Sequence, residues 1–159
     1  MSWLNLFRKS QVANGKARRL AIVWLAQGEE WGAKGQHREA LHCFDRGTSL
    51  DPKNQSGWVN KGNALGFLGS HRKALACFDR AIKLDRDAAY PWVGKGVALG
   101  NCGQHRDALR CFDRALAIDP DTDAWHLMGR ALALLGRHQE ARECFEKATR
   151  AWVYGEEPV

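Results

Sequence analysis

No apolar run in this sequence is long enough to cross a bilayer, which excludes a helical membrane span. A secretory signal pattern is missing too: Trp3, Leu4, Leu6 and Phe7 precede the N-terminal charges, the reverse of the order such a signal needs. No phosphate-binding loop or paired-carboxylate motif stands out. Five cysteines are an odd number and form no evident disulfide framework. Free thiols without a signal fit a reducing compartment, so the expected location is cytoplasmic. Residues 1–20 lack acidic side chains and hold Arg8, Lys9, Lys16, Arg18 and Arg19. With those five set aside, 19 basic residues face 18 acidic ones, so the net charge of +6 belongs to the N-terminal arm and the body is nearly neutral.

What is present is a grid. Trp24, Trp58, Trp92 and Trp125 are separated by 34, 34 and 33 residues. Gly28, Gly62, Gly96 and Gly129 follow at equal offsets, then Gly35, Gly69, Gly103 and Gly136. Ala40, Ala74, Ala108 and Ala141 come next, with Phe44, Phe78, Phe112 and Phe145 behind them. A period of this length marks a stack of like units, each unable to bury its apolar faces alone.

One unit shows how the chain folds. In residues 55–88, Trp58, Gly62, Leu65 and Leu68 recur at helical spacing, and Gly69 supplies a left-handed helix end. Past Ser70, Ala74, Phe78, Ala81 and Ile82 mark a second apolar stripe. Two short helices joined so tightly lie antiparallel. Gly62 and Ala74 let their backbones approach, with Trp58 and Phe78 filling the space beside them. Asp51-Pro52 and Asp119-Pro120 end second helices, since proline cannot continue the hydrogen-bond ladder. The last unit arrives one residue early, which is expected to alter its linker.

The pattern Trp24, Gly28, Trp31, Ala40, Phe44, Gly47, Pro52, repeated as Trp92, Gly96, Leu99, Ala108, Phe112, Ala115, Pro120, resembles the tetratricopeptide repeat (TPR) family over about residues 21–154. The resemblance implies an all-α fold: a right-handed superhelical solenoid of antiparallel helix pairs in four TPR units, 21–54, 55–88, 89–121 and 122–154. An amphipathic basic arm (1–20) precedes them and a short acidic tail (155–159) follows. It also implies a concave groove lined by the first helices, a docking surface for a peptide or helix, and no catalysis. The residues expected on that groove are Leu25, Glu29, Val59, Asn60, Asn63, Phe67, Tyr90, Val93, Val97, Asn101, His126, Leu127 and Arg130. Gly32, Gly66, Gly100 and Ala133 are placed to let a ligand backbone come close. Some relatives grip a C-terminal carboxylate with a lysine, asparagine and arginine clamp. Asn60 alone matches that pattern, with Leu25, Glu29, Tyr90 and Gly94 at the other places, so an apolar or amphipathic ligand is expected.

Other polar patterns have plainer readings. His37, His71, His105 and His138 recur once per unit, as do Cys43, Cys77, Cys111 and Cys144. Lattice equivalents about 10 Å apart do not converge on a metal, so no metal, cofactor or catalytic residue is assigned. The cysteines beside core aromatics read as small buried hydrophobes. Asp45-Arg46, Asp79-Arg80 and Asp113-Arg114 read as a solvated face linking adjacent units. Periodic tryptophans are core elements rather than a stacking platform, which argues against nucleic acid as a partner.

The two ends leave alternatives open. Trp3, Leu6 and Phe7 share a helical face ahead of the basic cluster, so the arm is a mobile tail, a membrane-surface anchor, or an apolar ligand for its own or a neighbour's groove. At the other end Ala151, Trp152, Val153 and Tyr154 run into GEEPV with no separate polar cap. Either Trp152 and Tyr154 fold back, or the last helix self-associates. The expected function is a non-catalytic protein-interaction scaffold or adaptor. The alternatives are a peripheral membrane adaptor held by the arm and a self-associating assembly protein.

Overall fold

A computed structural model describes the backbone of residues 3–120 and 123–154 and the side chains of 14–120 and 123–150. The described residues form eight α-helices: α1 (Trp3–Ala33), α2 (His37–Leu50), α3 (Gln55–Phe67), α4 (His71–Leu84), α5 (Ala89–Asn101), α6 (His105–Ile118), α7 (Ala124–Leu134) and α8 (His138–Tyr154). Packing is closest within the pairs α1·α2, α3·α4, α5·α6 and α7·α8, and next between each second helix and the following first helix. First helices also touch directly, α1 with α3, α3 with α5 and α5 with α7. That contact order is a linear stack, an all-α solenoid with the odd-numbered helices along one face.

Each pair closes on a glycine. Gly35, Gly69, Gly103 and Gly136 adopt φ of 73°, 73°, 77° and 76°, where a Cβ is disfavoured. The next N–H in each turn, from Gln36, Ser70, Gln104 or Arg137, reaches five residues back to the carbonyl of Trp31, Leu65, Leu99 or Leu132 at 2.8–3.0 Å. Carbonyls left open at the helix end are thereby satisfied, and the chain reverses within three residues.

The core differs from expectation in one respect. Alanines and phenylalanines are its centre: Ala40, Ala74 and Ala108 are wholly covered, and Phe44, Phe78 and Phe112 nearly so. One edge of each ring lies against a glycine of its own unit, Gly28, Gly62 or Gly96, where a Cβ would collide with it. Trp24, Trp58, Trp92 and Trp125 are only half-buried. The indole is polar at one edge and stays at the rim, where that N–H finds a partner. Trp58 Nε1 donates to the Pro52 carbonyl at 3.0 Å and Trp92 Nε1 to the Arg86 carbonyl at 3.2 Å. Trp58 and Trp92 therefore seal linkers. Trp125, after the shortened linker, has a buried Nε1 with no partner among the described residues.

The arm continues the first helix. The backbone of α1 is helical from Trp3 without a break at residue 20, and Leu20, Ile22 and Val23 are exposed on it. The side chains of Trp3, Leu6 and Phe7, and of Trp152 and Tyr154, lie outside the described ones, as do residues 155–159.

Candidate functional site

The odd-numbered helices carry three recesses in a row. One of about 220 Å³ lies between α1 and α3, one of about 350 Å³ between α3 and α5, and one of about 80 Å³ between α5 and α7. All three are built alike. A buried phenylalanine from the second helix is the floor (Phe44, Phe78, Phe112), and the histidine that starts that helix is a wall (His37, His71, His105). Small residues at Gly32, Gly66 and Gly100 keep the upper edge low, with open space where their Cβ atoms would be.

Most residues expected on the groove line these recesses. Glu29, Asn60, Asn63 and Phe67 surround the first, and Val59, Asn63, Phe67, Tyr90, Val93, Val97 and Asn101 the central one. Val97, Asn101, Leu127 and Arg130 surround the third. The face is apolar and open: Phe67 is 72% exposed, Tyr90 75% and Leu134 68%. Phe67 is nevertheless fixed in direction, because His37 stacks on it with centroids 4.4 Å apart and planes 7° from parallel. Asn60 Nδ2 donates to Glu29 Oε1 at 2.8 Å, tying the first two units together. A ligand carboxylate beside Asn60 would meet the Glu29 charge, so the asparagine is poorly placed for a carboxylate clamp.

Two expected residues lie elsewhere. Leu25 is buried, with its δ-methyl in the space that a Cβ on Gly47 or Gly57 would need. At the equivalent places in the next units, Ala81 with Pro91 and Ala115 with Ala124 leave less room, and Val59 and Val93 stay half-buried at the groove. Leucine fits inward only because two glycines on other helices make way. His126 is exposed but packs on Phe145 of α8, centroids 5.3 Å apart, outside the three recesses. Conversely, the recurring histidines are absent from the groove residues expected from sequence, yet His37, His71 and His105 line the recesses. Their Nδ1 atoms at His71 and His105 are buried without a hydrogen-bond partner among the described residues.

The other side of the stack is charged. Lys61 bonds Asp45 of the preceding unit at 2.8 Å and Lys95 bonds Asp79 at 2.7 Å, each ammonium also lying over its tryptophan, Trp58 or Trp92. At the last junction Met128 stands where the lysine would be. Burial pushes the Asp113 carboxyl up, with Arg137 pulling it back. A cavity of about 590 Å³ opens there, lined by Arg106, Arg110, Asp113, Trp125, Met128 and Arg137 among others. It is larger than any groove recess, yet its charges are partly taken up internally: Arg137 grips Glu140 at 2.6 and 2.7 Å, and Arg110 reaches Asp107 at 3.4 Å. Beyond α1, the exposed large apolar side chains Phe67, Tyr90, Val97 and Leu134 line the groove recesses, which makes that face the better candidate.

Cys43, Cys77, Cys111 and Cys144 are buried, and burial raises their thiols above the ordinary value of 9.0. They are held protonated, the opposite of what a nucleophile needs. No helix among the described residues is long and apolar enough to cross a membrane.

Comparison with known proteins agrees with this architecture. Tetratricopeptide repeat family models match residues 56–87 and 87–152, and neither describes a catalytic family. No curated protein matches the chain. Among solved structures, MamA is similar with a TM-score of 0.76 at 21% identity, covering 89% of this chain and 82% of that one. The first TPR of Spaghetti (RPAP3), solved bound to the HSP90 peptide SRMEEVD, has a TM-score of 0.66 at 19% identity over 81% of this chain and 95% of that one. YrrB, described as a TPR protein with an unusual peptide-binding site, has a TM-score of 0.71 at 23% identity over 86% and 70%. With four glycine-closed helix pairs in register and family models matched across most of the repeats, this chain belongs to the tetratricopeptide repeat family.

Proposed function

We propose that the chain is a non-catalytic protein-interaction module that holds an apolar or amphipathic polypeptide segment in its concave groove. The observation that carries this reading is the exposure of Phe67, Tyr90 and Leu134 beside three recesses on one face. Large apolar side chains kept in water along one face gain free energy only when something covers them. Peptide binding by the structural relatives RPAP3 and YrrB supports the reading by analogy of fold. The test is a pull-down from the native source with the full chain and with Tyr90→Arg. Because Tyr90 is 75% exposed, the variant is expected to keep its melting temperature and lose its partner. Equal capture by both proteins would refute the groove as the working surface.

A second reading, favoured by the unbroken helix of α1 and by its exposed Leu20, Ile22 and Val23, gives the arm a contact surface of its own. A basic helix with apolar side chains suits either an anionic membrane surface or a second copy of the chain. Vesicle flotation and sedimentation equilibrium, each with and without residues 1–19, separate these two uses. Unchanged behaviour in both would remove the second reading.

A further inference from the structure

Two formal charges stand in the groove, at opposite ends. Among the residues lining the three recesses, Glu29 is the only carboxylate and Arg130 the only guanidinium; between them lie asparagines, histidines and apolar side chains. Both are exposed. Neither has an ion-pair partner among the described residues. Glu29 is also aimed, since Asn60 holds one of its oxygens at 2.8 Å. On the other side of the stack, the first two junctions match such charges across units, Lys61 with Asp45 and Lys95 with Asp79. In the groove, one sign is left over at each end.

We propose that the groove selects a bipolar, extended peptide: a cationic side chain against Glu29, apolar side chains in the recesses, and a carboxylate against Arg130. This rests on the groove reading above and specifies the chemistry of its occupant. Glu29 and Arg130 stand three units apart, and first helices of adjacent units lie about 10 Å apart, so the two charges are separated by roughly 30 Å. An extended chain covers that span in about nine residues. A polyproline-like strand, with three residues per turn and about 3.1 Å per residue, presents every third side chain to one face at about the recess pitch. Gly32, Gly66 and Gly100, with open space above them, admit a narrow backbone, while Phe67 and Tyr90 rise on either side of the central recess. A helix about 10 Å across would ride on those rings.

The test uses fluorescence anisotropy with the full chain and three labelled twelve-residue peptides, each carrying leucine at every third position. One has lysine at one end and glutamate at the other, one has lysine at both ends, and one has glutamate at both. Because an extended peptide can enter in either direction, end composition reports polarity better than reversed order. At low salt the mixed peptide is expected to bind about three- to tenfold tighter than either uniform one, a range set by exposed ion pairs and shrinking in 0.5 M salt. Glu29→Lys should transfer the preference to the doubly acidic peptide, and Arg130→Glu to the doubly basic one. Equal binding of all three, or an unchanged ranking in both variants, overturns the proposal. Loss of all binding in Tyr90→Arg would still leave the groove reading standing in that case. Binding of none at millimolar concentration, or of a helical peptide alone with leucine every seventh residue, also overturns it. The pull-down then decides the groove reading separately.

Discussion

One chemical change, glycine to alanine, should have opposite signs at two positions in the same groove. Gly94 lies in the interior of α5 and Gly66 near the end of α3, both with helical backbone. Alanine in place of glycine favours a helix by about 0.5–1 kcal/mol when its methyl meets nothing. At Gly66 that condition holds, since no atom lies within 4 Å of the added Cβ. At Gly94 the Cβ would overlap the Phe78 ring, which has no easy retreat: it is 2% exposed and lies under Gly62 as well, 2.9 Å from where a Cβ there would be. Overpacking of this kind costs about 1–3 kcal/mol, more than the helical gain. Gly66→Ala is therefore expected to stabilise by about 0.5–1 kcal/mol and Gly94→Ala to destabilise by about 1–2 kcal/mol. For a chain of this size that is roughly a 2 °C gain against a 4 °C loss in melting temperature. Urea titration and thermal melting, followed by circular dichroism, measure both. Gly94→Ala equal to the wild type or more stable would show that Phe78 is not clamped between units, and the account of the central recess floor would fail.

The inter-unit ion pairs should contribute little: a double-mutant cycle on Lys95 and Asp79 is expected to give about 0.2–1 kcal/mol despite the 2.7 Å contact, because both ends reach solvent. Asp113→Asn should be neutral or slightly stabilising at pH 7. The folded carboxyl is raised, so its contribution is full below the unfolded value of 3.8 and lost as pH rises, and the gain should vanish near pH 3. Iodoacetamide at pH 8 should label Cys102 promptly and leave Cys43, Cys77, Cys111 and Cys144 protected until the chain unfolds. Because burial raises those four thiols above 9.0, the stability they contribute is full below pH 9 and lost as pH climbs through their folded values. The urea midpoint should drop between pH 8 and pH 10, and Cys77→Ala should lessen the drop.

Much of this molecule was legible in one dimension because its decisive contacts are local or repeated. Gly35, Gly69, Gly103 and Gly136 close helix pairs through bonds spanning five residues, so a single position announces each turn. Val59, Phe67, Tyr90, Val93, Val97 and Asn101 could be placed on one recess from their repeat positions alone, since every unit turns the same helical face to the groove. Trp125, after the shorter linker, has a buried Nε1 with no partner among the described residues, whereas the N–H of Trp58 and of Trp92 reaches a linker carbonyl.

Positions that depend on what faces them were not legible in this way. Leu25 has the periodic address of a groove residue and lies in the core, because Gly47 and Gly57 on two other helices leave a hole its side chain can reach. His37, His71 and His105 have the address of a helix start and stand as recess walls, because the next unit brings its first helix beside them. The four units, their helices and their turns can be read along the chain, since they follow from short-range backbone geometry and a repeated apolar stripe. Which side chains are swallowed and which are offered depends on the stacked neighbours, because burial is a property of two surfaces and each unit carries only one of them.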